Sequence, residues 1–352
     1  MESYIIGETA YNHEGDFEYL KRMIVDIGEI PLNAIKFHLL LESSSCFQKK
    51  HPLAEGIKKW MFSREQWDDL IQFSHEKKLG VIALCDDIES IQFINESHRD
   101  IKAIELHATS LNEYYMLREA IKFPNQIILG IGGSTLDEIA YAVDFLKENG
   151  KKDILLMYGF QAYPTDYKDI HLSKMLKIKD LFNLAIGYAD HTAYDDENNV
   201  DISALGAAMG FHILEKHYTP EFGVKRVDYH TAVGKEEMIR IKKKMDLYLN
   251  VFGGDLLRMS DREIQYGNIG PMKKAVVAKK DIHKGEKIRL EHLCFKRTEE
   301  ESTIYQRDFT DLIGLEVLVD IHEDEIVDFT KVQYRFNKAR YSELTGGLEE
   351  KK

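Results

Sequence analysis

Two apolar segments of the sequence end alike, in a charged residue, a histidine and a threonine. They are IGYADHT (186–192) and ILEKHYT (213–219). Neutral imidazoles are good ligands for borderline divalent metals such as Mn²⁺, Zn²⁺ and Fe²⁺. If His191 and His217 follow adjacent strands, they can bind one ion, with Glu8 or water completing its coordination. The alternative is that each histidine only ends a strand and hydrogen-bonds locally.

Short apolar segments alternate with longer amphipathic ones over the first part of the chain. The candidate strands are 4–7, 34–37, 80–84, 101–106, 126–130, 153–157, 184–188 and 211–215, and helix-like segments include 17–28, 63–78, 135–150 and 202–210. Eight strands, each followed by a helix-length segment in about 250 residues, predict an α/β fold, a (β/α)8 or TIM barrel. A doubly wound open sheet is the competing arrangement.

Reactive residues of such a barrel lie at the carboxyl ends of its strands. The predicted strand ends and the loops after them carry Glu8, Asn12, His13, Lys36, His38, Asp86, Asp87, Glu105, His107, Gln161, Tyr163, Thr165, Asp190, His191, Lys216, His217 and Thr219. Lys36 is either a surface lysine with a buried stem or a group that binds a carboxylate or phosphate or forms a Schiff base. For Asp86 and Asp87, we favour helix capping over metal binding.

The composition limits the function classes. A formal net charge of -13 argues against non-specific nucleic-acid binding, although a local basic pocket for a small anion is compatible with it. Three separated cysteines, Cys46, Cys85 and Cys294, indicate free thiols in a reducing compartment. The start of the chain lacks the pattern of a signal peptide, and the most apolar stretch, 202–214, is too short to span a bilayer. We therefore expect a cytoplasmic protein.

The pattern changes near residue 255. Residues 1–255 form the predicted barrel domain, and the weakly periodic segment 256–273 is interpreted as a linker. Residues 274–334 alternate short strands with turns and predict a small β-rich module, which needs a neighbour to be stable. The remaining residues, 335–352, are expected to form a flexible tail.

An ordered set of motifs resembles the sialic acid synthases over residues 4 to 334. The motifs are ETAYNHEG (8–15), AIKFH (34–38), AYPTDYKDI (162–170), GYADHT (187–192), EKHYT (215–219) and the stretch from KKAVVAKKDIHKGEKI to KR (273–297). That family condenses phosphoenolpyruvate with N-acetylmannosamine or a related amino sugar. The resemblance implies a TIM barrel followed by an antifreeze-like (SAF) domain, and a domain-swapped homodimer.

The same resemblance implies roles for individual residues. His191 and His217 look like the two protein ligands of a divalent metal, usually Mn²⁺, with Mg²⁺, Co²⁺ or Zn²⁺ as alternatives. Glu8 resembles the acidic residue beside the reacting carbons, and Lys36 resembles the lysine that binds phosphoenolpyruvate. The residues that resemble substrate contacts are Asn12, His38, Gln161, Tyr163, Asp228 and, from a partner subunit, Arg297.

Several departures from the family pattern fall on the substrate site. His38 stands where the family has a sugar-contacting glutamine, and Glu105 stands where it has a phosphate-binding lysine. Gly130 and Ala189 replace serines, and Thr298 replaces the proline after Arg297. The sequence therefore predicts a divergent synthase. Two alternatives stay open: a different metal-dependent aldol-type reaction, and a non-catalytic sugar-binding homologue.

Overall fold

The computed structural model describes residues 2–160, 162, 164–254, 257–267 and 273–333. Its chain divides into two compact units, residues 1–254 and 255–352. Two predicted substrate contacts, Gln161 and Tyr163, lie outside the described residues, as does the predicted tail after residue 334.

Eight parallel strands close into a barrel in chain order, with β8 paired to β1. They are β1 (Tyr4–Glu8), β2 (Ala34–Leu39), β3 (Gly80–Cys85), β4 (Ala103–Leu106), β5 (Gln126–Gly130), β6 (Ile154–Tyr158), β7 (Ala185–Asp190) and β8 (Ile213–His217). The predicted (β/α)8 barrel is confirmed, and the open sheet is excluded because the β1–β8 ladder closes it. Strands β7 and β8 begin and end later than predicted, so that His217 is the last residue of β8.

Helices surround the barrel. They are α1 (Phe17–Glu29), α2 (Ser43–Cys46), α3 (Ala54–Ile57), α4 (Arg64–Glu76), α5 (Ile88–Ser97), α6 (Tyr114–Ala120), α7 (Leu136–Glu148), α8 (Tyr167–Ile170), α9 (Leu172–Phe182), α10 (Asn199–Ala208) and α11 (Lys235–Phe252). Local sequence defines their starts: the predicted capping box of Thr135 and Glu138 opens α7, and Asp87 caps α5. No helix among the described residues is long and apolar enough to cross a membrane.

The barrel has apolar residues on both faces of its wall. A large cluster lies between the strands and the helices, and a smaller one fills the barrel interior. The interior cluster includes Ile6, Ala34, Ala103 and Ala189. Since side chains of a strand alternate between its faces, the residues two positions further along β1, β2 and β4 also face the interior, at the mouth. The strand pattern thus places Glu8, Lys36 and Glu105 at the mouth, next to the apolar residues that fill the barrel interior.

The second unit contains a short helix, α12 (Asp261–Gly267), inside the segment interpreted as a linker. A two-stranded antiparallel sheet follows, built from β9 (Lys274–Ala278) and β10 (Leu293–Arg297). Isolated bridges such as Ile282–Ile321 and Val317–Val332 extend it over a small apolar cluster of its own. The predicted small β-rich module is confirmed.

Two similar turns of this module cap each other. The sequence DIHKGE (281–286) recurs as DIHEDE (320–325). The Asp281 carboxylate accepts a hydrogen bond from the backbone N–H of Glu323 at 2.7 Å, and Asp320 accepts one from Lys284 at 2.8 Å. The two turns are therefore related by an approximate two-fold arrangement around the Ile282–Ile321 bridge.

Candidate active site

The strand register brings the residues of the mouth together. Glu8 is the Cα partner of Lys36 on β2 and of His217 on β8. His191 follows β7 directly, and its ring centroid lies 5.1 Å from that of His217. The structure thus unites Glu8, Lys36, His191 and His217, the four predicted catalytic residues, in one buried group.

Three of these residues form a candidate metal centre. Glu8, His191 and His217 each offer one ligand atom, and these atoms all lie within 4.8 Å of one another. Metal–ligand bonds of this kind measure about 2.0–2.2 Å, so small side-chain rotations would bring all three onto one ion. The donor set of two nitrogens and one carboxylate oxygen suits Mn²⁺, Zn²⁺ or Fe²⁺. The residues therefore fit a divalent metal.

The protonation states also suit a metal. Burial lowers the pKa of His191 to about 4 and that of His217 to about 3, although the Glu8 carboxylate opposes both shifts. Both rings are then neutral at pH 7, the form that binds metals. Burial raises the pKa of Glu8, but the charge of Lys36, the electrostatic interaction with the His217 ring and a hydrogen bond from His38 bring it well below its usual range. Glu8 is accordingly an ionised carboxylate.

Lys36 is enclosed by carboxylates. Its Nζ lies 2.6 Å from Glu215 Oε2, 3.1 Å from Glu105 Oε2 and 3.2 Å from Glu8 Oε1. Burial lowers the pKa of Lys36, but these three carboxylates outweigh burial and raise it well above the usual range. A Schiff base requires a neutral amine. The structure thus favours anion binding over Schiff-base formation for Lys36.

His38 links the centre to the rim of the mouth. Its Nε2 lies 2.6 Å from Glu8 Oε1, and its Nδ1 lies 3.9 Å from Asp86 Oδ2. The Tyr11 hydroxyl donates to the same Asp86 oxygen at 2.7 Å. Burial lowers the pKa of His38, but its hydrogen bond and charge interaction with Glu8 raise it overall. His38 therefore holds one oxygen of Glu8 and leaves the other facing His217.

A buried ion pair lies on the opposite side of the barrel wall. Asp190 and Lys216 are Cα partners in the β7–β8 ladder, and their side chains are fully buried with Nζ 2.6 Å from Oδ2. Asp190 also accepts hydrogen bonds from the side chains of Tyr188, Thr192 and Ser203. Each member of the pair is the chain neighbour of a candidate metal ligand. The pair thus clamps the strand ends that carry both imidazoles.

The other residues predicted to contact the substrate lie in different parts of the structure. Asn12 is buried, donating from Nδ2 to the Val227 carbonyl and accepting at Oδ1 from Tyr19. Asp228 adopts a left-handed backbone (φ 60°) and accepts from the Tyr11 N–H. Arg297 is exposed on β10 of the second unit. Their contacts with substrate stay predictions, as do those of Gln161 and Tyr163.

His13 gives the structure a testable pH dependence. It is buried, its Nδ1 accepts from the Gly15 N–H, and burial lowers its pKa to about 3. The unfolded chain takes up a proton near pH 6.5 while the folded chain does not, so stability falls as the pH drops below about 6.5. We expect His13→Asn to flatten this slope by about 1.4 kcal/mol per pH unit between about pH 6 and 4. Urea unfolding at several pH values measures it.

His51 provides the matched control for that experiment. Its Nδ1 also accepts from the backbone N–H two residues later, that of Leu53, but the residue is exposed. His51→Asn should leave the pH slope unchanged. Equal slopes in wild type and His13→Asn would show that His13 does not contribute.

Comparison with known families decides the relationship. Residues 38–255 match the NeuB family, and residues 273–333 match the SAF domain. The chain belongs to the NeuB family. This confirms the predicted resemblance, including the SAF domain after the barrel.

Relatives of this NeuB chain carry synthase names. It is 26% identical to the N,N'-diacetyllegionaminic acid synthase of Campylobacter jejuni, covering 93% of this chain and 99% of that one. It is 25% identical to the N-acetylneuraminate-9-phosphate synthase of Drosophila melanogaster, covering 92% and 94%. A sialic acid synthetase structure from Leptospira borgpetersenii, solved with citrate, matches with a TM-score of 0.69 at 24% identity, covering 75% of this chain and 90% of that chain. The prediction that the chain is an enzyme of the synthase type is confirmed.

One residue of the NeuB site was missed by sequence reasoning. Glu215 makes the shortest contact to Lys36, and burial, followed by the charge of Glu8, raises its pKa well above the usual range. A signal was present, because Glu215 lies two residues before His217 and shares its face of the strand. The predicted strand ended at Glu215, whereas β8 continues to His217.

Proposed function

We propose that the protein catalyses a metal-dependent condensation of phosphoenolpyruvate with an N-acetylated amino sugar, giving a sialic-acid-like nonulosonic acid and phosphate. The acceptor is N-acetylmannosamine or a diacetamido hexose. The observation that carries this proposal is the buried Glu8–His191–His217 group at the barrel mouth of a NeuB-family chain. The names of the legionaminic and sialic acid synthase relatives support the product class.

Glu8, His191 and His217 would hold the divalent metal, with Mn²⁺ as the proposed ion. When bound, such an ion acts as a Lewis acid toward the carbonyl oxygen of the open-chain sugar. In the reaction, C3 of phosphoenolpyruvate attacks the aldehyde carbon, water adds at C2, and phosphate leaves with cleavage of its bond to C2.

The chain's own groups supply binding and proton transfer. Glu8 is ionised, since its pKa lies well below the usual range, and it is assigned to accept the proton of the attacking water. Lys36 stays charged and is assigned to the anionic end of the donor, in competition with the carboxylates that surround it. His38 and Asp228 face the same region and are assigned to the acceptor sugar, with Asn12, Gln161 and Tyr163.

The resemblance of the sequence to the sialic acid synthases assigns Arg297 to the sugar site of a second subunit in a domain-swapped homodimer. Light scattering after gel filtration gives the oligomeric state directly. A monomer at assay concentration that is fully active would remove Arg297 from the proposed site.

A second candidate function keeps the metal and changes the donor. It is favoured by the ion pair between Lys36 and Glu105, which places a carboxylate beside the predicted anion site. In that case an aldol-type reaction uses a donor without phosphate. A non-catalytic sugar-binding homologue would show sugar binding without turnover.

One experiment separates these functions. Metal-loaded protein is incubated with phosphoenolpyruvate or pyruvate and a panel of N-acetylated hexosamines, and phosphate release and product mass are followed together. Phosphate release with a product three carbons larger than the sugar supports the synthase. A product formed with pyruvate but not with phosphoenolpyruvate supports the changed donor. The absence of product with either donor contradicts both proposed enzymatic functions.

A further inference from the structure

Lys36 Nζ lies within ion-pair distance of three carboxylates and donates a hydrogen bond to one of them, Glu105 Oε2, at 3.1 Å. Glu8, Glu105 and Glu215 come from three different strands and lie within 3.2 Å of its Nζ. An ammonium group has three donors and no more. An anionic substrate that binds Lys36 therefore competes with these carboxylates, and most directly with the hydrogen-bonded Glu105.

Glu105 is the carboxylate positioned to withdraw. Glu8 belongs to the candidate metal centre, and Glu215 makes the shortest contact with Lys36. Glu105 lies on β4, away from the strands that carry the centre, and within the described residues its ion-pair partner is Lys36.

Few cationic side chains among the described residues act on Glu105: burial raises its pKa, and Lys36 and, more weakly, His38 lower it. Among the described residues that line the central cavity, Lys36 is the only lysine or arginine. Near the ends of β5 and β6, that cavity is lined by Met157 and by three glycines, Gly130, Gly132 and Gly159. A phosphate dianion on this side would meet the Glu105 carboxylate and only one lysine, Lys36, which is already paired. The repulsion between the phosphate and the carboxylate would be strongly unfavourable.

The absence of a side chain at Gly130 leaves space for the Glu105 carboxylate. A Cβ added at Gly130 would lie 3.3 Å from Glu105 Oε1 and 3.0 Å from the Ala108 nitrogen. A side chain at position 130 would thus press on the carboxylate. The glycine leaves room for Glu105 to reach Lys36.

We propose that Glu105 is a specificity-determining residue: it occupies on Lys36 the place of the donor's anionic group and weakens binding of a phosphorylated three-carbon donor. This inference rests on the proposed function for the identity of the donor. It predicts an effect that grows with donor charge, since pyruvate carries one negative charge and phosphoenolpyruvate carries more.

Calorimetric titration without sugar tests the inference independently of turnover. The metal-loaded wild type and Glu105→Gln are titrated with phosphoenolpyruvate and with pyruvate. We expect Glu105→Gln to bind phosphoenolpyruvate at least about tenfold more tightly, because a charge is removed and one donor of Lys36 is released. Pyruvate affinity should change by less than about threefold, in keeping with its lower charge.

Glu119→Gln is the matched control, since Glu119 on α6 is also buried but pairs with Lys122, two residues beyond the end of that helix. It should bind both donors like the wild type. If the melting temperature of Glu105→Gln is far below that of the wild type, the titrations are repeated with Glu105→Met, whose side chain is uncharged and of similar length. Unchanged phosphoenolpyruvate affinity in a folded variant, or an equal gain for pyruvate, overturns the inference.

The outcome is separable from that of the proposed function. If Glu105→Gln gains phosphoenolpyruvate affinity but no protein yields product with any sugar, the inference stands and the synthase assignment fails. If the wild type yields product and the variant gains no affinity, the synthase assignment stands and the inference fails.

Discussion

The double variant His191→Ala, His217→Ala is expected to lose tight Mn²⁺ binding and with it all measurable turnover. Losing groups that only support metal ligands already costs about 10–100-fold in affinity, so losing two ligands should exceed about 100-fold. The remaining candidate ligand, Glu8, is a single carboxylate already shared with Lys36 and His38. Titration of Mn²⁺ followed by electron paramagnetic resonance measures the free ion directly.

The control for this experiment is another histidine of the mouth. His107 lines the same cavity but lies outside the candidate metal group. Its replacement by alanine should leave Mn²⁺ affinity within about twofold of the wild type, whatever happens to substrate binding, because direct ligands dominate metal affinity. Stoichiometric, tight Mn²⁺ binding by the double variant would contradict the assignment of the centre.

Lys216→Met is expected to lower the free energy of unfolding by about 3–5 kcal/mol, the usual cost of leaving one member of a buried ion pair alone. Lys216 and Asp190 are both fully buried, so solvent cannot replace the lost partner. Burial raises the pKa of Asp190, but Lys216 and the hydroxyl donors lower it overall, so the carboxylate is ionised. Urea unfolding at pH 7 gives the difference.

An exposed pair supplies the comparison. Lys235 and Glu29 lie 2.7 Å apart, with about half of each side chain in solvent. Lys235→Met should change the free energy of unfolding far less than Lys216→Met, because solvent screens an exposed pair. Asp190→Asn combined with Lys216→Met should cost less than the sum of the two single changes, because it leaves no charge unpaired. Additive losses would mean that the two side chains are not coupled.

Much of the fold was predictable because local signals agree with one another. The eight apolar segments each needed only length and turn residues to be interpreted as strands, and the box of Thr135 and Glu138 defined the start of α7. The strand ends were less certain, because Asp190, Lys216 and His217 are polar residues inside β7 and β8. Their partners come from other strands, which local sequence does not reveal.

The candidate site, too, was predictable only in part. The types of His191, His217 and Glu8 indicate a metal, and strand order brings them together. The ion pair between Glu105 and Lys36 was not predictable, since it joins residues 69 positions apart through the geometry of the closed barrel. The sequence showed only that Glu105 stands where the family has a phosphate-binding lysine, whereas the structure shows that it pairs with Lys36.

The reciprocal aspartate caps of the SAF module have a consequence for its folding. In each of the two related turns, a backbone N–H donates a hydrogen bond to the aspartate carboxylate of the other turn. Neither half can then reach its final geometry before the other half is in place. The module should therefore form in a single concerted step, and a chain cut between residues 286 and 320 should yield two fragments that are each unstructured alone and regain structure when mixed.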